Sequence, residues 1–141
     1  MSSQHRSRRL ALQALCCIDA QGPESWTLIE NFIRHSRENA AIIEGAIGML
    51  KEVSDDRTQS DEILSRHTRR WELPRLALVD RNILRMGVHE LRKARTPFKV
   101  VISESLRLAR EFSTAESPRF VNGILDAVAK ELQKQSRDKH R

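Results

Sequence analysis

The chain has 141 residues, a length typical of one domain with a substantial core. Hydrophobic residues make up 39% of it and aromatic residues only 4%, and its 5 glycines and 4 prolines are too few for a turn-rich β fold, so the composition predicts packed helices. The formal net charge of +6 favours a polyanionic partner, but it does not by itself define an activity.

Two amphipathic helices are predicted at the start of the chain. Apolar residues recur at helical spacing over residues 5–20 and again over 24–35. The sequence Gln21-Gly22-Pro23 stops the first helix and starts the second. Opposite the apolar face of the first helix, a stripe at steps of three, four and three residues consists of Arg6, Arg9, Gln13 and Cys16.

A third helix is predicted to be much longer. From Asn39 to about Trp71 the apolar residues keep one helical spacing, so they would share one face of a helix. Within this range no glycine or proline follows Gly48, which indicates a single continuous helix. The alternative is a break near Asp55-Asp56, with Ser60 capping a second helix.

Three further helices complete the chain after a short helical turn that follows Pro74. Asp80 is the predicted N-cap of a helix over residues 81–93, and Thr96-Pro97 is the next boundary because the residue before proline resists helical geometry. A helix then runs to Phe112, and the last one opens at Ser117-Pro118, with the serine as N-cap and the proline at the first helical position. We therefore expect one all-α domain over residues 1–141, with residues 1–4 and 134–141 frayed.

Several classes of protein are excluded by what the sequence lacks. The adjacent Cys16 and Cys17 have neither a metal-ligand spacing nor that of an ordinary disulfide, which indicates a reducing compartment. No apolar run approaches the ~20 residues of a membrane span and no secretory signal is present, so we expect a soluble, cytoplasmic protein without a membrane partner. The 5 histidines are scattered, and neither a glycine-rich phosphate loop nor a G-x-S-x-G motif occurs, so we expect no catalysis, cofactor or metal.

The first candidate site is the basic start of the first helix. Arg6, Arg8 and Arg9 concentrate positive charge there, and guanidinium groups suit phosphate because their fork presents paired donors. Gln13, on the same face, could contact an exposed base edge. The alternative is that the basic helix end is simply a solvated face.

The second candidate site is the polar turn before the last helix, together with that helix's first turns. It contains Glu116, Arg119, Phe120 and Asn122. Asn122 can donate and accept hydrogen bonds, and Gly123 beside it permits close approach of another backbone. The alternative is that Asn122 holds the neighbouring loop, Gly123 permits tight helix packing and Phe120 packs into the core.

Most of the chain also resembles a known family, in runs that occur in the same order. The runs P-F-K-V-V-I-S-E-S-L-R-L-A-R-E-F at 97–112 and R-F-V-N-G-I-L-D at 119–126 are similar to the signature of the bacterial antitermination factor NusB, as are residues 80–87, 90–91 and 8–15. The resemblance implies about seven helices in two small bundles joined by a long central helix. It also implies an RNA-binding adaptor in antitermination of ribosomal RNA operons.

The resemblance further implies partners and site residues. The first helix would bind boxA-like single-stranded RNA, although Cys16 stands where the family usually has an aromatic residue, and Phe120 offers another aromatic surface. The protein partner would be the small-subunit ribosomal protein that serves as Nus factor E, with other Nus factors and RNA polymerase engaged indirectly. The residues that we expect near that partner are Arg81, Arg85, Glu116, Arg119 and Asn122, with His89 as a further surface contact.

Two other interpretations remain open. NusB-like domains also occur fused to ribosomal RNA methyltransferases, so the chain could recognise RNA for a separate modifying enzyme. It could also be a helical scaffold for protein interactions whose basicity serves solubility.

Overall fold

The computed structural model describes residues 2–68 and 73–139, and within these residues it contains seven α-helices and no β-strand. This confirms the predicted all-α class. The helices are α1 (Ser3–Gln21), α2 (Trp26–Arg34), α3 (Ala40–Asp55), α4 (Arg57–Ser65), α5 (Leu78–Lys93), α6 (Phe98–Phe112) and α7 (Ser117–Lys139). Two short 3₁₀ helices, Pro23–Ser25 and Leu73–Arg75, precede α2 and α5.

The first of two compact units, Met1–Asp55, contains α1, α2 and α3. α1 packs closely along α3: the Ser7 hydroxyl donates to the buried Ile42 carbonyl oxygen at 2.9 Å. A Cβ on Gly45 of α3 would lie 2.7 Å from that hydroxyl oxygen, so glycine permits the close approach. The buried apolar residues of this unit are Ala11, Leu12, Ala14, Leu15, Ile29, Ile33, Ile42, Ala46, Ile47, Leu50 and Val53.

The second unit, Asp56–Arg141, is built around α5, which lies against α4, α6 and α7. Because α5 has neighbours on several sides, its residues 82–89 are all buried. Ile83, Leu84, Gly87 and Leu91 face inward, as predicted. The partners of α5 contribute Leu64, Val101, Leu108, Ala109, Val121, Leu125 and Val128 to the core.

The prediction of one helix from Asn39 to Trp71 is wrong within the described residues. α3 ends at Asp55 and α4 begins at Arg57, which is the break that the alternative placed near Asp55-Asp56. The residue at the break makes tertiary contacts: Asp56 accepts hydrogen bonds from His89 Nδ1, at 2.9 Å, and from Arg92. Ser60 is not the cap, because it lies inside α4 and is fully buried, and Trp71 lies outside the described residues.

The ends of three helices also differ from the predictions. α5 begins at Leu78, so Asp80 lies in its first turn and is not its N-cap. α7 begins at Ser117 itself, which places Pro118 in its first turn. α1 begins at Ser3, two residues before the predicted start, and the Ser2 hydroxyl caps it by accepting from the His5 amide at 3.1 Å.

Candidate nucleic-acid interface and partner surface

The predicted stripe on α1 lies at the surface of the first unit. Arg6 and Gln13 are exposed, and Arg9 and Cys16 are half-buried. The steps of three and four residues bring successive members onto one face of the helix, as their spacing in the sequence predicted. The face therefore presents a guanidinium group at one end, an amide further along and a small thiol where a larger ring would offer stacking area.

Arg8 does not belong to this face. It follows Arg6 by two residues, and two helical steps of 100° turn a side chain to the opposite side of α1. Arg8 is 5% exposed and shares the buried side with His5, Ala11 and Leu15. The prediction that all three arginines present their charge to a polyanion is thus wrong for Arg8. Helical geometry alone would have placed Arg8 on the apolar side of α1.

Arg6 has an ion-pair partner that the sequence pattern did not indicate. Its Nη2 lies 2.6 Å from Oε2 of Glu38, in the turn that leads into α3. The Arg6 side chain is 43% exposed and that of Glu38 is 24% exposed. No local pattern connects residues 32 positions apart, because only the packing of α1 on α3 brings them together.

In the second unit, a hydrogen-bonded cluster holds the turn between α6 and α7 against the start of α5. Asp80 accepts from the hydroxyls of Ser113, at 2.6 Å, and Ser117, at 3.0 Å. Thr114 Oγ1 lies 2.9 Å from the Ser117 oxygen, and it is the donor because the Ser117 proton goes to Asp80. Asp80 therefore connects three segments of this unit.

A groove of about 530 Å³ opens beside this cluster. Its walls bring together three residues that were predicted for RNA or partner contact, Glu116, Arg119 and Phe120. Phe120 is half-buried, so part of its ring surface is accessible. Asn122 is exposed but lies outside the set that lines the groove. The remaining lining residues are Asp80, Thr114 and Ser117.

The three α5 residues that we expected at the surface are engaged within the unit. Arg85 is 4% exposed and donates from Nε and Nη2 to the two carboxylate oxygens of Asp61, at 2.7 and 3.0 Å. His89 is 3% exposed and donates to Asp56. The prediction of surface positions for these two is wrong, because α5 is the central helix of its unit. Arg81 is half-buried and donates to the Pro74 carbonyl at 3.1 Å.

The pKa of Asp56 reflects these contacts. Burial alone would raise the pKa of the Asp56 carboxyl, but hydrogen bonds from Arg92 and His89 and the charges of both groups outweigh burial and hold the pKa below its ordinary value of 3.8. The carboxylate is therefore a fixed anion at the break between α3 and α4.

Neither a metal centre nor a membrane span is found along the part of the chain that the structure describes. No three histidine, cysteine or carboxylate side chains there are placed to hold a metal ion together. None of the helices found there combines the length and the apolar character that a membrane span needs.

Known proteins of the same all-α class match nearly the whole chain. Residues 5–130 match the NusB family. The transcription antitermination protein NusB of Solibacter usitatus is 37% identical over 134 residues, which cover 94% of this chain and 92% of that protein. The solved structure of T. maritima NusB has a TM-score of 0.84 and 31% identity, and covers 93% of both chains. A crystal structure of the antitermination factors NusB and NusE in complex with dsRNA gives a TM-score of 0.82 at 25% identity, covering 93% of this chain and 98% of that one.

The chain belongs to the NusB family of transcription antitermination proteins. Members of this family are non-enzymatic factors, as the sequence predicted. The seven helices of residues 2–68 and 73–139 agree in number and in all-α class with the fold that the resemblance implied, although α3 and α4 replace its long central helix.

Proposed function

We propose that the protein is an RNA-binding adaptor in transcription antitermination of ribosomal RNA operons. It binds boxA-like single-stranded RNA together with a NusE-type ribosomal protein, and so connects the RNA to elongating RNA polymerase and other Nus factors in the cytoplasm. The observation that carries the proposal is the likeness, along 93% of this chain, to a NusB protein crystallised with NusE and dsRNA. The exposed stripe on α1 supports it.

On α1, each member of the stripe has a distinct role in the proposal. Arg6 and Arg9 contact phosphates, which gives affinity and salt dependence. Gln13 contacts a base edge, and Cys16 lies against a base without the stacking area of a ring. Arg8 contributes through the packing of α1, because it is buried. Phe120, in the second unit, is a half-buried ring on which a base can stack.

The protein partner is proposed to dock on the second unit. Glu116 and Arg119 line the groove with opposite charges, and the exposed Asn122 adds a neutral donor and acceptor. Arg81 and Arg85 act on this surface indirectly, because they tie α5 to the Pro74 carbonyl and to Asp61 of α4. Two modest interfaces held together raise the effective concentration of RNA and partner, so neither interface has to be tight alone.

Fluorescence anisotropy with a labelled boxA-like RNA and a scrambled RNA, across a salt series and with and without the NusE-type protein, tests the proposal. We expect the boxA-like RNA to bind more tightly and the partner to tighten it further. The double variant Arg6→Ala/Arg9→Ala should lose affinity, and its salt slope should fall by about 0.7 for each phosphate that the variant no longer neutralises.

Arg34→Ala is the matched control, since Arg34 is also 43% exposed, lies in the same unit and forms ion pairs with Glu30 and Glu44. It should bind RNA like the unmodified protein. Equal binding of both RNAs would indicate RNA recognition for some other machinery, and partner binding without RNA binding would indicate a helical scaffold.

A further inference from the structure

The ion pair between Arg6 and Glu38 joins the proposed RNA surface to the rest of the first unit. The two side chains are within 2.6 Å, and both remain partly accessible. The guanidinium fork binds phosphate best when two of its N–H groups point at the same anion. In this structure Nη2 of Arg6 already lies against the Glu38 carboxylate, so an RNA phosphate competes with Glu38 for that end of the guanidinium group.

The position of Glu38 is fixed by the packing of α1 on α3. The Ser7 hydroxyl next to Arg6 donates to the Ile42 carbonyl, and Gly45 leaves no space for a Cβ against Ser7. For the second partner of the ion pair, the fixed point is Asn39, which caps α3 by accepting from the Ile42 amide at 3.0 Å. Glu38 directly precedes this cap. Both partners of the ion pair thus extend from anchored backbone.

We propose that Glu38 limits the RNA affinity of α1 by competing with phosphate for Arg6. This inference rests on the proposed RNA binding by α1 and deepens it, because it assigns an opposing residue to that surface. The free protein binds RNA less tightly than its arginines permit, and the cost of breaking the ion pair applies to every RNA sequence. Release of Arg6 from Glu38 is then a step in forming the complex.

Glu38→Gln keeps the shape of the side chain and removes its charge. We expect the dissociation constants of boxA-like and scrambled single-stranded RNA to fall two- to fivefold, about the strength of a partly exposed ion pair. The salt slope should steepen by up to about 0.7 as one more phosphate contact forms fully. In the Arg6→Ala background, Glu38→Gln should leave both constants unchanged.

Glu44→Gln controls for the general change of charge, because Glu44 lies on α3, is 66% exposed and is paired with Arg34. Its effect on RNA binding should be smaller and independent of Arg6. Glu38→Asp keeps the charge and should retain weak binding, and thermal unfolding of each variant confirms that the fold is intact.

The outcomes separate this inference from the proposed function. If boxA-like RNA is preferred but Glu38→Gln leaves its affinity unchanged or weakens it, competition by Glu38 is wrong and the proposed function stands. If both RNAs bind equally and Glu38→Gln tightens both through Arg6, the inference stands and boxA recognition fails. A gain that persists without Arg6 also overturns the inference, and absence of all RNA binding overturns both.

Discussion

Asp56 shows at the scale of one residue how a polar side chain organises this fold. It lies between α3 and α4 and accepts hydrogen bonds from two α5 side chains, His89 and Arg92. Its side chain is 13% exposed. This carboxylate stabilises the unit, since its loss would deprive the buried His89 and the half-buried Arg92 of a shared acceptor.

Replacement of Asp56 by asparagine should lower the free energy of unfolding at pH 7 by about 1–3 kcal/mol, because His89 and Arg92 lose the anion to which they donate. The pKa of Asp56 is lowered in the folded state, so its contribution is complete above the ordinary value of 3.8 and is lost as the pH falls through the folded-state pKa. Urea denaturation should therefore show a smaller difference between variant and unmodified protein at pH 3 than at pH 7.

The matched control for this prediction is Asp126→Asn. Asp126 is paired with Lys130 on the exposed side of α7, where its side chain is 47% exposed. Surface pairs of this kind contribute at most about 1 kcal/mol. Equal losses for both variants, or a difference at Asp56 that grows toward pH 3, would contradict the role given to Asp56.

At the scale of helices, the packing of α5 depends on Gly87. A Cβ at this position would lie 2.8 Å from Leu125 Cδ1 and 3.2 Å from Ser105 Oγ, on the two helices packed against it. Leu125 is fully buried and Ser105 is 3% exposed, so neither has free space to move into. The glycine therefore sets the approach of α6 and α7 to α5.

Gly87→Ala should destabilise the protein, because overpacking costs about 1–3 kcal/mol and exceeds the gain in helix propensity of about 1 kcal/mol. Gly48→Ala on α3 is the control: nothing lies within 4 Å of its added Cβ, so this variant should be stabilised by up to about 1 kcal/mol. Thermal or urea unfolding measures both, and a shift in the same direction for the two variants would disprove the packing role of Gly87.

What the sequence could predict at the helix scale is the local pattern. The apolar stripes of α1, α2, α5, α6 and α7 follow from helical periodicity. The stripe on the other side of α1 follows from the same periodicity, and it consists of Arg6, Arg9, Gln13 and Cys16. The break between α3 and α4 was placed correctly by the alternative interpretation, near Asp55-Asp56, but periodicity favoured one continuous helix because the apolar spacing continues past the break. The donors that bind Asp56 lie 33 and 36 residues away, beyond the reach of local pattern.

The remaining errors concern contacts between distant segments. The serines that donate to Asp80 lie more than 30 residues from it, and Glu38 lies equally far from Arg6. Arg85 and His89 are polar residues of the kind found at surfaces, but α5 is the central helix of its unit and both side chains are buried. Arg85 pairs with Asp61 of α4, and His89 pairs with Asp56. Residue type indicates that such groups need partners, and only the tertiary fold identifies the partners.

At the scale of the whole molecule, the chain forms two compact units that carry different surfaces. The first unit presents the α1 stripe proposed for RNA, and the second presents the groove proposed for the protein partner, in which Phe120 is the one residue proposed for a base. If one protein holds both ligands in a single assembly, each ligand strengthens binding of the other by the same factor, because coupling between binding sites is reciprocal.

The most direct test of this account is the affinity of the boxA-like RNA measured with and without saturating NusE-type protein, together with the affinity of that protein measured with and without the RNA. We expect the partner to lower the dissociation constant of the RNA, and the RNA to lower that of the partner by an equal factor. An RNA affinity that does not change when the partner is bound would contradict the role of this protein as an adaptor.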